Sequence, residues 1–166
     1  MALFVPLFQA LNASGGRYVV VGGVATVLHG HARLTADVDV IVEFEREGLT
    51  RLLDAVTELG LRPRPPVAAK DFADPACRAA WIRDKGMRVF SFWDPNSPMR
   101  ELDLFVEHPI DFEELWSRSV LVEIGGTEAR IASIGDLIAL KRLAGRPQDL
   151  QDIQVLESIA KRHGKA

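Results

Sequence analysis

Cysteine is nearly absent: Cys77 stands alone in 166 residues. An intrachain disulfide and a cysteine-based zinc site are therefore excluded, and the chain fits a reducing compartment, so the expected setting is cytoplasmic. An excess of one charge sign is also missing. Twenty basic against 23 acidic residues leave a net charge of −3, so no global field advertises nucleic acid or a membrane surface, although local basic patches are compatible with it. No hydrophobic run is long enough to span a bilayer, and no membrane partner is expected. Met1–Leu11 is apolar but contains Gln9 and lacks a basic leader. Its Leu3, Phe4, Leu7, Phe8 and Leu11 recur at helical spacing, which predicts a short amphipathic helix rather than a signal peptide. The chain has no internal repeat and no low-complexity segment. Gly22–Val27 lacks the G-x-G-x-x-G pattern, so a Rossmann dinucleotide site is rejected.

What is present is the composition of an ordinary globular protein, 48% apolar and 26% charged, with enough length for a sizeable core. Residues 1–166 read as one domain, because Arg62–Pro66 is a stiff loop too short to link two. Glu45–Gly60 carries Leu49, Leu52, Leu53, Val56 and Leu59 at helical spacing and stops at a glycine. Pro75–Asp84 is expected as a short helix. Arg88–Trp93 and Glu101–Val106 are strands of a hairpin turned at Asp94–Pro98. Phe112–Trp116 suits one or two helical turns. Val120–Ile124 and Glu128–Ile131 flank Gly125-Gly126 as a second hairpin. Ser133 caps a helix ending near Gly145, and Pro147 opens another reaching about Arg162. Mixed helices and hairpins predict an α+β fold with a mixed β-sheet, not a purely parallel one, and a helical C-terminal part from about 133 to 166.

The chain is organised around Tyr18–Glu43. Tyr18–Val21 suits a buried strand. Gly22-Gly23 breaks it and allows another group to approach the backbone closely. Val24–His29 is compatible with a helix, whose first N–H groups would suit phosphate. Asp37-Val38-Asp39 then opens a second strand, and alternation puts both carboxylates on one face. Asp103, flanked by Leu102 and Leu104, offers a third carboxylate from a later strand, on a face with Glu101. Carboxylates side by side repel unless a cation lies between them, and hard oxygen ligands suit Mg²⁺ bound together with a substrate's phosphates. The plainer reading is three strand-edge charges in water. Their apolar sequence neighbours argue against it, because buried unpartnered carboxylates are costly.

This constellation resembles the nucleotidyltransferase superfamily related to DNA polymerase β. Its members share an hG[GS] turn opening a helix, a [DE]h[DE] pair on the next strand and a later third carboxylate. Here those positions read Val21-Gly22-Gly23, Asp37-Val38-Asp39 and Asp103. The pattern Gly22-Gly23-Val24-Ala25, His29-Gly30, Arg33, Thr35, Asp37, Asp39 is similar to that of minimal bacterial members, including AbiEii-like toxins. So is the run Lys141, Ala144, Arg146, Asp149, Asp152. One departure is Gly23, where many active members have a serine whose hydroxyl meets a phosphate; backbone N–H groups would serve instead. The resemblance implies a nucleotidyltransferase-like mixed sheet flanked by helices, with the C-terminal helices packed on it. It implies transfer of a nucleoside monophosphate from an NTP, ATP among them, to a hydroxyl acceptor (tRNA, a protein or a small molecule), with a toxin or antitoxin as a cognate partner in a toxin–antitoxin module. Two Mg²⁺ ions would be held by Asp37, Asp39 and Asp103. Asp103 would also deprotonate or orient the acceptor hydroxyl. Gly22 and Gly23 would offer amides to the triphosphate.

Lys141 has Leu137 and Ile138 before it and Ala144 and Gly145 after it at helical spacing, so it lies on the apolar side of its helix. It is either a rim lysine with a buried stem or a cation facing the triphosphate. Arg33 could face the triphosphate likewise, or be solvated. Asp149 and Asp152 suit the positive end of the last helix without any function, and Asp149 with Arg146 could form a structural pair. His29 and His31 could touch substrate but show no metal-ligand pattern. The competing class is an inert protein of the same fold that binds a nucleotide or a partner as an antitoxin does. Three converging carboxylates favour the enzyme.

Overall fold

The computed structural model describes residues 1–163. A 3₁₀ turn, Ala2–Phe4, leads into α1, Val5–Ser14, which buries Leu7, Phe8 and Leu11 and ends on Gly15 in the left-handed conformation. The expected amphipathic helix is thus a docked core element. β1, Tyr18–Val20, is buried along its whole length. α2, Gly22–Leu28, follows at once, and β2, Asp37–Val42, begins on the first acidic residue. α3, Arg46–Glu58, is capped by the Glu45 carboxylate, which accepts from the amides of Glu47 and Gly48. Its apolar stripe buries Leu49, Leu52, Leu53 and Val56.

Two expectations need correction. Arg62–Pro63, read as loop, forms a short edge strand, β3, antiparallel to β4, Val89–Asp94. A proline is tolerated there because an edge strand leaves one row of N–H groups without partners in the sheet. β5 runs Ser97–Phe105 and so begins before Glu101, which shortens the hairpin turn to Pro95-Asn96. Between β3 and β4 lie a 3₁₀ turn, Ala69–Ala73, and α4, Pro75–Lys85, capped by Asp74. After β5 come α5, Phe112–Arg118, and the hairpin of β6, Val120–Ile124, with β7, Thr127–Ile131. Its turn residues Gly125 and Gly126 have φ of 57° and 82°, the pair of positive angles that a two-residue hairpin of matching twist requires. α6, Ile134–Ala144, and α7, Pro147–His163, close the described chain.

The seven strands form one mixed sheet in the order β3-β4-β5-β2-β1-β7-β6. β1 is antiparallel to β2 and parallel to β7, while β2 is parallel to β5. Helices flank this sheet in the α+β arrangement expected for a nucleotidyltransferase-like fold. Phe72, Phe90, Phe92, Leu102 and Ile41 are among the largest fully buried side chains. α6 packs against both α2 and α7, which brings the C-terminal helices beside the β1–α2 turn. Among the described residues, no helix is long and apolar enough to cross a membrane.

Candidate active site

The parallel pairing of β2 with β5 sets Asp39 beside Asp103 and Asp37 beside Glu101. Strand alternation keeps Asp37 and Asp39 on one face. As a result, one carboxylate oxygen from each of Asp37, Asp39 and Asp103 lies within 4.8 Å of the others. All three residues are half-buried. The Asp39 pKa is pushed up to about 7, chiefly by burial and then by the charges of Asp37 and Asp103, while the Gly23 amide and Arg146 oppose the rise. Burial also raises that of Asp103, against a hydrogen bond from Ser91. Asp103 Oδ1 is buried and has no hydrogen-bond partner. A hard divalent cation matches this all-oxygen donor set: it would relieve the mutual repulsion and engage the orphaned oxygen.

The Gly22-Gly23 turn is shaped by the carboxylates. Gly22 has φ of 61° and lies so close to Asp39 that a β-carbon there would overlap its carboxylate. The Val21 amide donates to the Asp39 carbonyl oxygen at 2.8 Å, tying the turn to β2. At Gly23 a β-carbon would overlap the Thr35 hydroxyl and lie 2.9 Å from Arg33 Nη2. Thr35 Oγ1 in turn donates to Asp37 Oδ1 at 3.2 Å. Side chains of the 29–36 loop thus fill the space that a side chain at position 23 would need. The loop and the turn form one wall beside the acidic pair.

Arg33 is therefore at the site, but not free. Its Nη2 donates to Asp152 Oδ2 at 3.1 Å and its Nη1 to the Leu34 carbonyl at 2.9 Å. Lys141 is buried, not at a rim. Its Nζ donates to the same Asp152 oxygen at 2.6 Å and lies 3.5 Å from Asp149. Asp152 is 1% exposed and also faces His31 Nε2 at 3.3 Å. Asp149 and Asp152 thus do more than suit a helix dipole: they receive the cations of three elements. His29 Nε2 meets the Ala132 carbonyl at 2.8 Å, a structural tie between α2 and the end of β7.

Arg146 does more than its local pairing. Arg146 pairs with Asp149 at 3.0 Å, as the spacing suggested. Its charge also acts on Asp37 and Asp39, and theirs on it. It stands in the α6–α7 connection, on the side of the carboxylates, in the same C-terminal run as Lys141. On the far side of Asp103, Arg64 grips Glu101 with two nitrogens at 2.7 and 3.1 Å. Nothing in the local pattern marked Arg64, because its approach depends on β3 joining the sheet.

A family model described as nucleotidyltransferase of unknown function (DUF6036) matches residues 7–162. A search of curated proteins finds no match. Among solved structures, the chain is similar to an antigenic nucleotidyltransferase-like protein from Paracoccidioides brasiliensis, with a TM-score of 0.61 and 18% identity over 93% of this chain and 73% of that one. It is also similar to the lincosamide antibiotic adenylyltransferase LnuA, solved lincomycin-bound, with a TM-score of 0.59 and 15% identity over 95% of each chain. A third is ANT(2")-Ia in complex with adenylyl-2"-tobramycin, with a TM-score of 0.57 and 17% identity over 99% of this chain and 98% of that one. At such identities the likeness shows the fold alone.

Proposed function

The chain belongs to this nucleotidyltransferase family, and on that premise we propose that it moves a nucleoside monophosphate from an NTP to a hydroxyl acceptor, with pyrophosphate as the leaving group, at the cleft of Asp37, Asp39 and Asp103. The observation that carries the reading is the convergence of those three carboxylates within 4.8 Å beside a glycine turn. The chemistry expected of Mg²⁺ at these residues, two ions in number, is to polarise the transferring phosphoryl group and offset its charge. Asp37 and Asp39 hold the cations in this assignment. Asp103, beside Asp39 on the neighbouring strand, holds a cation and takes or orients the proton of the acceptor hydroxyl; its raised pKa suits a group that must accept one. Gly22 and Gly23, whose missing side chains make room for the Asp39 carboxylate and the 29–36 loop, offer backbone N–H groups to the triphosphate in this assignment, and Arg33 and Arg146 supply positive charge opposite the acidic row. Lys141 serves the site through Asp152 rather than by touching phosphate, because its amine is already enclosed by two carboxylates.

The acceptor is an RNA, a protein or a small hydroxylated molecule. Neighbours solved with lincomycin or an adenylylated tobramycin support the last of these, and the C-terminal sequence run supports membership of a toxin–antitoxin module. The test is incubation with each labelled NTP, Mg²⁺ and total cell extract. Wild type yields a labelled product, and the variant Asp37→Asn/Asp39→Asn loses at least about a hundredfold in transfer. Full activity in that variant overturns the assignment. No product with any NTP and a variant that binds its partner unchanged would instead identify an inert binding module.

A further inference from the structure

We propose that Asp152 is a positioning residue that aims Arg33 into the carboxylate cleft, so that α7 sets the affinity of the site for a triphosphate; this rests on the function proposed above. Asp152 is itself out of reach of a ligand. It is 1% exposed, its Oδ2 accepts from both Lys141 and Arg33, and its Oδ1 faces His31. What it controls is the 29–36 loop, which it holds at Arg33 and faces at His31. That loop carries Thr35 to Asp37 and packs Arg33 against Gly23, whose neighbour Gly22 touches Asp39.

Arg33 has the donors for a ligand. A guanidinium offers five N–H groups, and its Nη1 and Nη2 each make one bond here. Its Nε is buried and has no partner. A long arginine side chain loses much rotamer freedom when it is ordered. Asp152 fixes the group before any ligand arrives. It also supplies a competing anion. Without it, Arg33 would be free to turn to Asp37, four residues further along the chain, and would occupy the acidic row as an internal cation. Arg33 shares the Asp152 carboxylate with Lys141, and the guanidinium keeps N–H groups that this contact does not use.

The probe is inorganic triphosphate with Mg²⁺, which needs no knowledge of the base. Binding is measured by calorimetry below the unfolding midpoint for wild type, Arg33→Gln, Asp152→Asn and the double variant. Each single change weakens binding about tenfold, the value of one charge-assisted contact. In the Arg33→Gln background, Asp152→Asn causes no further loss, because the residue it positioned is gone. A merely structural Asp152 would multiply the losses or leave affinity unchanged, and either result overturns the proposal. If Asp152→Asn does not fold, Asp152→Glu keeps the charge but displaces it by one methylene. It should fold and bind several-fold more weakly, and wild-type affinity there is equally fatal. A wild type that does not bind Mg²⁺–triphosphate overturns the nucleotidyltransferase reading and this inference together. A binding wild type with an indifferent Asp152 overturns this inference alone.

Discussion

Asp39 shows what burial and like charge do to one carboxylate. Its pKa of about 7 exceeds the ordinary 3.8, so the folded state keeps a proton that the unfolded chain releases. Its contribution to stability is present below pH ~4 and is lost as pH rises through about 7. Asp39→Asn removes this dependence. Metal-free protein carrying it should unfold about 2–6 °C higher than wild type at pH 8 and at nearly the same temperature at pH 4. Thermal unfolding at the two pH values checks this, and an equal difference at both would show that Asp39 is not strained. The same variant should gain little from Mg²⁺, since the proposed cation would bind where the repulsion was. The acidic pair was legible in sequence because strand alternation is a local rule. The size of its shift was not, because it depends on Asp103 arriving from β5 and on Gly22 closing over one oxygen.

At the scale of elements, the α6–α7 pair matters for what it buries. Lys141 is 5% exposed between Asp149 and Asp152. The helical spacing of its neighbours placed it on the apolar side, which the structure shows. Its partners come from α7 and could not be chosen from α6 alone. Lys141→Met leaves buried carboxylates with less compensation and should destabilise the fold by about 3 kcal/mol, lowering the midpoint by roughly 6–12 °C. Arg33 still meets Asp152 in that variant, so Mg²⁺–triphosphate affinity at a permissive temperature should fall less than about threefold. A larger loss of affinity, with the midpoint unchanged, would instead put Lys141 on the phosphates. Unfolding curves and calorimetry on one preparation separate the two. β3 teaches the converse lesson. Arg62–Pro66 looks like loop by composition, yet β4 recruits its first residues as an edge strand.

The whole molecule has an acidic row facing a space where polyphosphate is expected, with cations mounted on a different part of the chain. That separation predicts a metal requirement. NTP alone meets three carboxylates and should hardly move the unfolding midpoint, whereas NTP with Mg²⁺ at about a hundred times its Kd should add about 2.7 kcal/mol, or roughly 5–10 °C. Equal stabilisation with and without Mg²⁺ would mean that the carboxylates do not hold the ions that neutralise the ligand.

The sequence by itself determined the pieces whose rules are short-ranged. A β-branched apolar run marked β1, alternation marked β2, glycines marked the turn and the β6–β7 hairpin, and spacing placed the apolar face of α3. Asp37 and Asp39 were readable as a pair, and Asp103 as a separate candidate on a face of its own. Only the tertiary structure decided which strands became neighbours. The parallel joining of β2 to β5, far apart in sequence, set Asp103 beside Asp39. The packing of α6 and α7 near α2 made Asp152 a shared anchor for Arg33 and Lys141 and turned Arg146 toward the acidic row. The physical reason is that a dihedral preference or a hydrophobic period acts over a few residues. Electrostatic energy acts through space, among groups that only the folded chain brings together.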